Sequence, residues 1–191
     1  MVDLLFSTEE VSAKINYKSE ATSYLGNRTF EISLKCKASK LIENIIGKIT
    51  PGSYIEFCTE GNFSNHQLLQ FILEQTGPAI VHLSSWAIKE DSARALVQLK
   101  KSGAISELYT VFDSRVKTQD AKHFDFLKSF LNGYGFTKCH AKVMVIQGKE
   151  FSVTVIGSAN FSRNPRIEVG VINCSYQSAN FHVKWLNQYI N

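Results

Sequence analysis

Apolar and polar residues follow short strand-like and helix-like patterns along most of the chain, and from Pro51 onward the two kinds of pattern take turns. The pattern predicts strands at 53–58, 79–83, 107–112 and 167–173, a helix that begins at Asn65, and helices at 91–99, 119–131 and 179–189. Strands separated by helices are typical of βαβ units, in which the sheet is parallel and helices cover both faces.

The first 48 residues are harder to interpret. Residues 29–36 alternate like a strand, and residues 39–48 carry a helical apolar stripe. A chain of 191 residues is long enough for one domain with a sizeable core. We therefore expect a single domain over 1–191, in which residues 1–48 are an N-terminal extension packed on an α/β core of residues 49–191.

Two apolar runs in the last third of the chain predict a β-hairpin. Residues 142–146 read KVMVI and residues 152–156 read SVTVI, and a turn-like segment, 147–150, separates them. A hairpin adds antiparallel pairing to the expected parallel strands. The predicted fold class is therefore α/β, with a mixed, mostly parallel sheet and helices on both faces.

Polar residues stand at the open end of this hairpin. Side chains alternate along a strand, so His140 and Lys142 share one face and Ser158 and Asn160 share another. If residues 148–150 form the loop, His140 lies opposite Ser158 and all four polar groups meet on one side. A one-residue slip in the pairing would turn the side chains of one strand to the opposite face of the sheet. Bringing the four groups together therefore predicts a loop with an odd number of residues.

The motif pattern resembles that of the phospholipase D superfamily, whose signature is H-x-K, an Asp five residues after the Lys, and then G-S-x-N. His140-Ala141-Lys142 and the segment 157–160, GSAN, match the two halves, and Glu168 matches the acidic residue that often follows. The chain departs from the signature in two ways: Gln147 occupies the Asp position, and the hairpin is three residues longer than the spacing that is usual in the superfamily. The resemblance implies a phospholipase D-like fold and a nuclease-like member with a single motif.

The resemblance also implies a metal-independent phosphodiesterase without a cofactor. Lys142, Ser158 and Asn160 can donate hydrogen bonds to phosphate oxygens, and this would stabilise the charge that grows in the transition state. His140 would attack phosphorus and form a phosphohistidine. Glu168 would orient or polarise a histidine.

The leaving group of such a reaction needs a general acid, and a second histidine is the expected donor. Family members with one motif copy resemble twofold dimers that join two sites. This chain has one credible copy, because the other H-x-K, at 182–184, lies in a predicted helix with no G-S-x-N after it. We therefore predict a C2 homodimer in which two copies of His140 face each other across the axis.

Further substrate-binding candidates follow predicted strands or flank the motif. Trp86 either stacks on a base or packs under the next helix. Arg115 either binds a phosphate through two parallel hydrogen bonds or is a solvated surface residue. Arg163, Asn164 and Arg166 either line a groove for a phosphodiester backbone or are exposed loop residues.

Composition is that of an ordinary soluble globular protein, with 44% hydrophobic and 20% charged residues. The net charge of +4 comes from residues 61–191, which hold 14 Lys/Arg against 9 Asp/Glu. The N-terminal residues lack the basic flank and the long apolar run of a secretory signal. We expect a cytoplasmic protein with reduced cysteines and no stable membrane association. Alternation places Cys139 on the face opposite His140, which favours a packed core thiol.

Three functions remain open from the sequence. The first is a nuclease, favoured by the basic motif-bearing part of the chain. The second is a lipid phosphodiesterase, disfavoured because no amphipathic helix is rich in Lys/Arg. The third is a catalytically weak nucleic-acid-binding module that has kept the fold, an interpretation that Gln147 keeps open.

Overall fold

The computed structural model describes residues 38–162 and 165–191, together with 21–25 and 30–34; before residue 42 it describes the backbone alone. Nine strands lie in this part of the chain: β1 (Ala21–Leu25), β2 (Phe30–Leu34), β3 (Tyr54–Thr59), β4 (Ala79–Ser85), β5 (Ile105–Asp113), β6 (Gly133–Thr137), β7 (Val143–Gln147), β8 (Ser152–Gly157) and β9 (Glu168–Asn173). The helices of this part are α1 (Ala38–Ile46), α2 (Asn65–Thr76), α3 (Glu90–Lys101), α4 (Val116–Gln119), α5 (Ala121–Lys128) and α6 (Tyr176–Asn187).

All nine described strands form one sheet in the order β2-β1-β3-β9-β8-β7-β4-β5-β6. The α/β class and the mixed sheet are confirmed, but the expectation that most of the pairing is parallel is wrong. Among the described strands, only β4 with β5 and β5 with β6 pair in parallel, and the other six neighbouring pairs are antiparallel.

The mostly antiparallel pairing has a simple topological cause. The pairings make β3, β4, β5 and β6 run in the same direction, as helical crossovers require. However, β9, β8 and β7 insert between β3 and β4, and each of these three runs opposite to its neighbours. The strands that helices connect therefore share one direction, but most strands lie beside a strand of the opposite direction.

Two separate apolar cores lie on the two faces of the sheet. Side chains of the first five described helices pack on one face, against alternate residues of the central strands such as Met144 and Val155. The opposite face carries a smaller core, in which Ala179 and Leu186 of α6 pack against Val143 and Val145. Burying both faces in this way removes the apolar surface of the central strands from water.

The predicted elements from Pro51 onward lie within three residues of the observed ones, with two exceptions. The first exception is the short helix α4, which was not predicted; the helix predicted over 119–131 corresponds to α5, and the chain leaves helical geometry at Asp120, between α4 and α5. The Asp120 carboxylate is buried and accepts a hydrogen bond from the Ile88 backbone at 3.3 Å. This contact ties the break between the helices to the segment that follows β4.

Strand β6 is the second exception, because no strand was predicted there. Its sequence, GYGFT, has two glycines, which are unfavourable in strands in general. The structure supplies the reason for them. A Cβ on Gly135 would collide with the backbone carbonyl of Tyr189, so the C-terminal segment packs directly on the strand backbone. The Asn191 amide also donates to the Tyr134 carbonyl oxygen at 3.2 Å.

The predicted hairpin forms, but its predicted register is wrong. Gln147 pairs with Ser152 and Val143 with Ile156, so the connection has four residues instead of three. Both strands are buried on both faces for most of their length. A strand with two apolar faces does not reveal its register by alternation, since a one-residue slip leaves apolar residues on both sides.

The N-terminal strands β1 and β2 extend the sheet beyond β3. The described part of the strand predicted at 29–36 is β2, and the helix predicted at 39–48 is α1. Ile42, Ile45 and Ile46 of α1 belong to the larger core. The N-terminal part of the chain thus contributes both to the sheet and to the packing. None of the helices in the described part of the chain has the length and apolar character needed to cross a membrane.

Candidate active site

The predicted site residues that the structure describes lie at one edge of the sheet. β4, β5 and β8 end at this edge, and β7 and β9 begin there. The motif halves lie just beyond the strands: His140 and Lys142 precede β7, and Ser158 and Asn160 follow β8. Their positions therefore depend on how the chain turns beyond the strand ends. Side-chain alternation within the hairpin does not set them.

His140 and Lys142 form a close pair in the first motif half. Nζ of Lys142 lies 3.4 Å from Nδ1 of His140 and donates a hydrogen bond to the His140 carbonyl oxygen at 2.8 Å. Partial burial lowers the pKa of Lys142, and the nearby Cys139 and Glu168 oppose this shift. His140 is exposed. The pair thus places a cation beside an accessible imidazole.

Ser158 and Glu168 form a second pair, at the start of β9. The Ser158 hydroxyl donates a hydrogen bond to the Glu168 carboxylate and accepts one from the Val169 amide at 3.0 Å. The Ser158 amide donates to the Val169 carbonyl oxygen at 2.9 Å and continues the ladder between β8 and β9. Among the described residues, the hydrogen-bond partner of the Glu168 carboxylate is this serine and not a histidine.

Asn160 is oriented by the end of β4. Its Oδ1 accepts hydrogen bonds from the Ser85 hydroxyl at 3.4 Å and from the Trp86 backbone amide at 3.3 Å. The Trp86 amide assigns the oxygen, because the side-chain nitrogen of Asn160 cannot accept from an N–H group; the Ser85 hydroxyl has a shorter bond to the Ala87 carbonyl oxygen, at 2.7 Å. The NH2 group is consequently the part of Asn160 that remains to donate to an anion. Asn65 of α2 holds the same segment by donating to the Ala159 carbonyl oxygen at 2.7 Å.

Trp86 lies between Arg115 and His140. The Arg115 guanidinium lies over the Trp86 ring, 3.9 Å from its centroid. The Trp86 and His140 rings meet in a T-shaped contact, with 5.9 Å between centroids and an interplanar angle of 69°. Trp86 is half-buried. Arg115 therefore already covers one face of the ring that the sequence proposed as a platform for a base.

Asp113 is the residue that sequence reasoning did not assign. It ends β5, is 7% exposed, and accepts hydrogen bonds from the backbone amides of Arg115 (3.0 Å) and Cys139 (3.1 Å) and from Nε of Arg115 (3.0 Å). The bond from the Arg115 amide is the largest cause that lowers the pKa of Asp113, and the Arg115 side chain and the Cys139 amide add to it against the effect of burial. The available signal was a carboxylate directly after a buried strand, at the edge where sites form.

The remaining candidates are more dispersed. Arg166 is exposed and lies between Ser158 and Glu168 in sequence, and Arg163 and Asn164 lie outside the described residues. Cys139 is 7% exposed and packs in the smaller core, which confirms the prediction of a core thiol. Gln147, at the Asp position of the signature, ends β7 and pairs with Ser152.

An open pocket of about 240 Å³ adjoins the second pair of site residues. Glu168 and Ala159 line one side of it, and His66 and Asp91 line another. Burial lowers the pKa of His66, and the charge of Asp91 opposes this shift. The pocket provides space beside Glu168 for a group larger than a phosphate.

Three solved structures resemble this fold. One is Nuc, a phospholipase D family member from Salmonella typhimurium, with a TM-score of 0.52 and 17% identity over 64% of this chain and 85% of that chain. The archaeal chromatin protein TrmBL2, described with a novel mode of DNA binding, has a TM-score of 0.46 and 11% identity over 70% of this chain and 51% of its own. Polyphosphate kinase from Porphyromonas gingivalis has a TM-score of 0.44 and 11% identity over 63% of this chain and 21% of that chain.

The fold assignment rests on the first of these three similarities: the chain has a phospholipase D-like fold. No protein-family model and no curated protein matches the sequence.

Proposed function

We propose that this protein is a phosphodiesterase that cleaves nucleic acid, with His140 as the nucleophile and a second subunit as the source of the general acid. The observation that carries the proposal is the His140–Lys142 pair, an exposed imidazole with an ammonium 3.4 Å from its Nδ1 atom. A nucleophile next to a cation suits attack on an anionic ester, because the cation lowers the repulsion between the electron pair and the substrate.

The neighbouring groups supply the other requirements of the reaction. The free NH2 group of Asn160 and the ammonium of Lys142 donate to nonbridging phosphate oxygens, where charge grows during attack. The Ser158 hydroxyl is a third donor once a phosphate replaces Glu168 as its acceptor. Glu168 then becomes available to orient a histidine, as a carboxylate does in a catalytic triad.

The covalent step proceeds as an in-line displacement. The imidazole lone pair of His140 forms a bond to phosphorus, and the P–O bond to the leaving alkoxide breaks. The imidazolium of His140 in the second subunit gives its proton to that alkoxide. Water then attacks phosphorus and gives a proton to the same second imidazole, while the P–N bond breaks and releases His140, which restores both rings.

An apolar surface next to the site supports the proposal of a C2 dimer. Ile156, Ile167 and Val169 are 41%, 59% and 54% exposed and flank the Ser158–Glu168 pair in sequence. Contiguous exposed apolar residues are typical of interaction surfaces. A second copy of the chain is the proposed occupant, because the reaction needs a second histidine and a twofold interface places the same residue on both sides of the axis.

The Gln147 substitution is compatible with activity. Lys142 directly precedes β7 and Gln147 ends it, which separates the two residues by about 16 Å along the strand. The side chain of Gln147 lies away from the edge that holds the site, so the lost carboxylate removes no group from around the phosphate. This distance favours the catalytic proposal over the weak binding module.

Nucleic acid is the proposed substrate because the chain carries a net charge of +4 and has Lys142 and the exposed Arg166 in or beside the motif. Cations at such positions bind successive phosphates of a polynucleotide. The lipid alternative has less support, since the sequence predicts no amphipathic helix rich in Lys/Arg that would bind a membrane surface.

The test is nicking of supercoiled plasmid in EDTA by the wild type, by His140→Ala and by the control His123→Ala. His123 is a histidine of α5, away from the motif. We expect nicking by the wild type and the control and none by His140→Ala. Hydrolysis of phosphatidylcholine without nicking would select the lipid alternative. Salt-sensitive DNA binding without cleavage would select the binding module.

A further inference from the structure

We propose that Asp113 is a positioning residue for His140, holding both the backbone before this histidine and the aromatic ring beside it. This inference rests on the proposed function of His140 and adds to it a carboxylate that belongs to neither motif half. Asp113 lies in a different strand, 26 residues before the backbone amide that it binds.

The first connection runs through the backbone. Oδ2 of Asp113 accepts the Cys139 amide at 3.1 Å, one residue before His140. The Ser114 amide donates to the Thr137 carbonyl oxygen at 2.9 Å and continues the pairing of β5 with β6 beyond the strand end. Two bonds therefore set where the chain leaves β6 and enters the first motif half.

The second connection runs through side chains. Oδ1 of Asp113 accepts both the amide and Nε of Arg115, each at 3.0 Å. The guanidinium held in this way lies 3.9 Å from the centroid of the Trp86 ring, a cation–π contact. Trp86 in turn makes a T-shaped contact with the His140 ring. Asp113 thus limits the motion of His140 from the side of the ring as well as from the backbone.

An isosteric replacement separates these effects from simple packing. Asp113→Asn keeps the shape of the side chain but replaces one acceptor oxygen by an NH2 group. That group must face either the Cys139 amide or the Arg115 donors, so one connection is lost in either orientation. A misplacement of about 1 Å at a reacting group costs about 100-fold in rate.

The expected result for Asp113→Asn is a loss in kcat of about 10- to 100-fold with KM within about twofold of wild type, since no substrate contact is removed. The control is Asn132→Ala, which removes a side-chain acceptor for the Leu108 amide near the opposite end of the same strand. We expect a comparable loss of thermal stability in the control without loss of kcat. An Asp113→Asn enzyme with wild-type kcat would overturn the proposal.

Arg115→Met tests whether this arginine positions the site or binds substrate. A positioning role predicts a lower kcat and an unchanged dependence of DNA affinity on salt. A phosphate-binding role predicts a higher KM and a log–log salt slope that is smaller by about 1. The second result would overturn the side-chain connection.

A readout that needs no turnover keeps the two proposals distinguishable. In protein labelled with 15N and 13C at histidine, the ring signals of His140 should shift or broaden in Asp113→Asn and stay unchanged in Asn132→Ala. If the wild type cleaves no phosphodiester, the proposed function fails and the ring signals alone decide the role of Asp113; unchanged signals reject it. If Asp113→Asn does not fold, Arg115→Met and Trp86→Phe are compared by the same two readouts.

Discussion

The side-chain oxygen of Asn160 accepts a hydrogen bond from the backbone amide of Trp86, 74 residues earlier in the chain, at 3.3 Å. This bond joins the second motif half to the end of β4, and the ring of the same Trp86 contacts His140 of the first half. One residue outside the motif therefore touches both halves. The arrangement orients the amide of Asn160 and makes its nitrogen the donor that can meet a phosphate.

Asn160→Asp tests this orientation. The substituted side chain still accepts from Ser85 and Trp86, but it presents an anionic oxygen where the NH2 group stood. We expect kcat/KM to fall about 100-fold or more while the melting temperature changes little, because the structural bonds survive and the phosphate donor does not. Steady-state kinetics on bis-p-nitrophenyl phosphate and a thermal melt measure both quantities. Activity within threefold of wild type would contradict the assigned orientation.

Lys142 should determine the alkaline limit of activity. Partial burial lowers its pKa from the ordinary value of 10.5, so the ammonium loses its proton at a lower pH than an exposed lysine does. Activity should be retained while Lys142 is charged and lost as the pH rises through this lowered pKa. A pH profile of kcat/KM checks the expectation. In Lys142→Arg the decline should move to higher pH or disappear, because a guanidinium stays protonated; an unmoved decline assigns it to another group.

Mixing wild-type and His140→Ala chains tests the shared site. The two chains are mixed, unfolded and refolded together. If each site needs His140 from both subunits, only dimers of two wild-type chains are active, and the total activity follows the square of the wild-type fraction. Independent monomers would give a linear dependence instead. Val169→Glu places a charge on the proposed interface, and we expect it to yield monomers by light scattering and to abolish activity. A monomeric, fully active Val169→Glu protein would refute the dimer.

Gly135→Ala should destabilise the protein by about 1–3 kcal/mol, because the added methyl group meets the Tyr189 carbonyl and the C-terminal segment has to move. Urea denaturation measures the change. The matched control is the same substitution in a chain that ends at residue 188, where the colliding carbonyl is absent. In that background Gly135→Ala should have little effect, and an equal effect in both chains would mean that the collision is not the cause.

The motif and most of the elements were predictable from local patterns. The spacing of His140, Lys142, Ser158 and Asn160 is a property of the sequence. Each strand or helix after Pro51 shows its apolar periodicity within its own short segment, so it can be predicted without knowledge of the rest of the chain. Strand direction was also predictable, because a helix between two strands returns the chain to the same end of the sheet.

The neighbours of each strand and the register of the hairpin were not predictable in this way. They depend on contacts between distant segments, and β7 and β8 are apolar on both faces, so alternation contains no information about their register. Strand β6 was missed because its glycines are unfavourable in a strand, and the close approach of the C-terminal backbone to Gly135 appears only in the folded chain.

Local sequence thus accounts for the chemical groups of the candidate site, since residue type and spacing are properties of short segments. Their arrangement in space depends on four connecting segments that come together at one sheet edge, after β4, after β5, between β6 and β7, and between β8 and β9. Asp113 reaches the first motif half across 26 residues, and Trp86 reaches the second across 74. Such long-range hydrogen bonds leave no periodic signal in the chain, because each forms only after the sheet has brought the strand ends together.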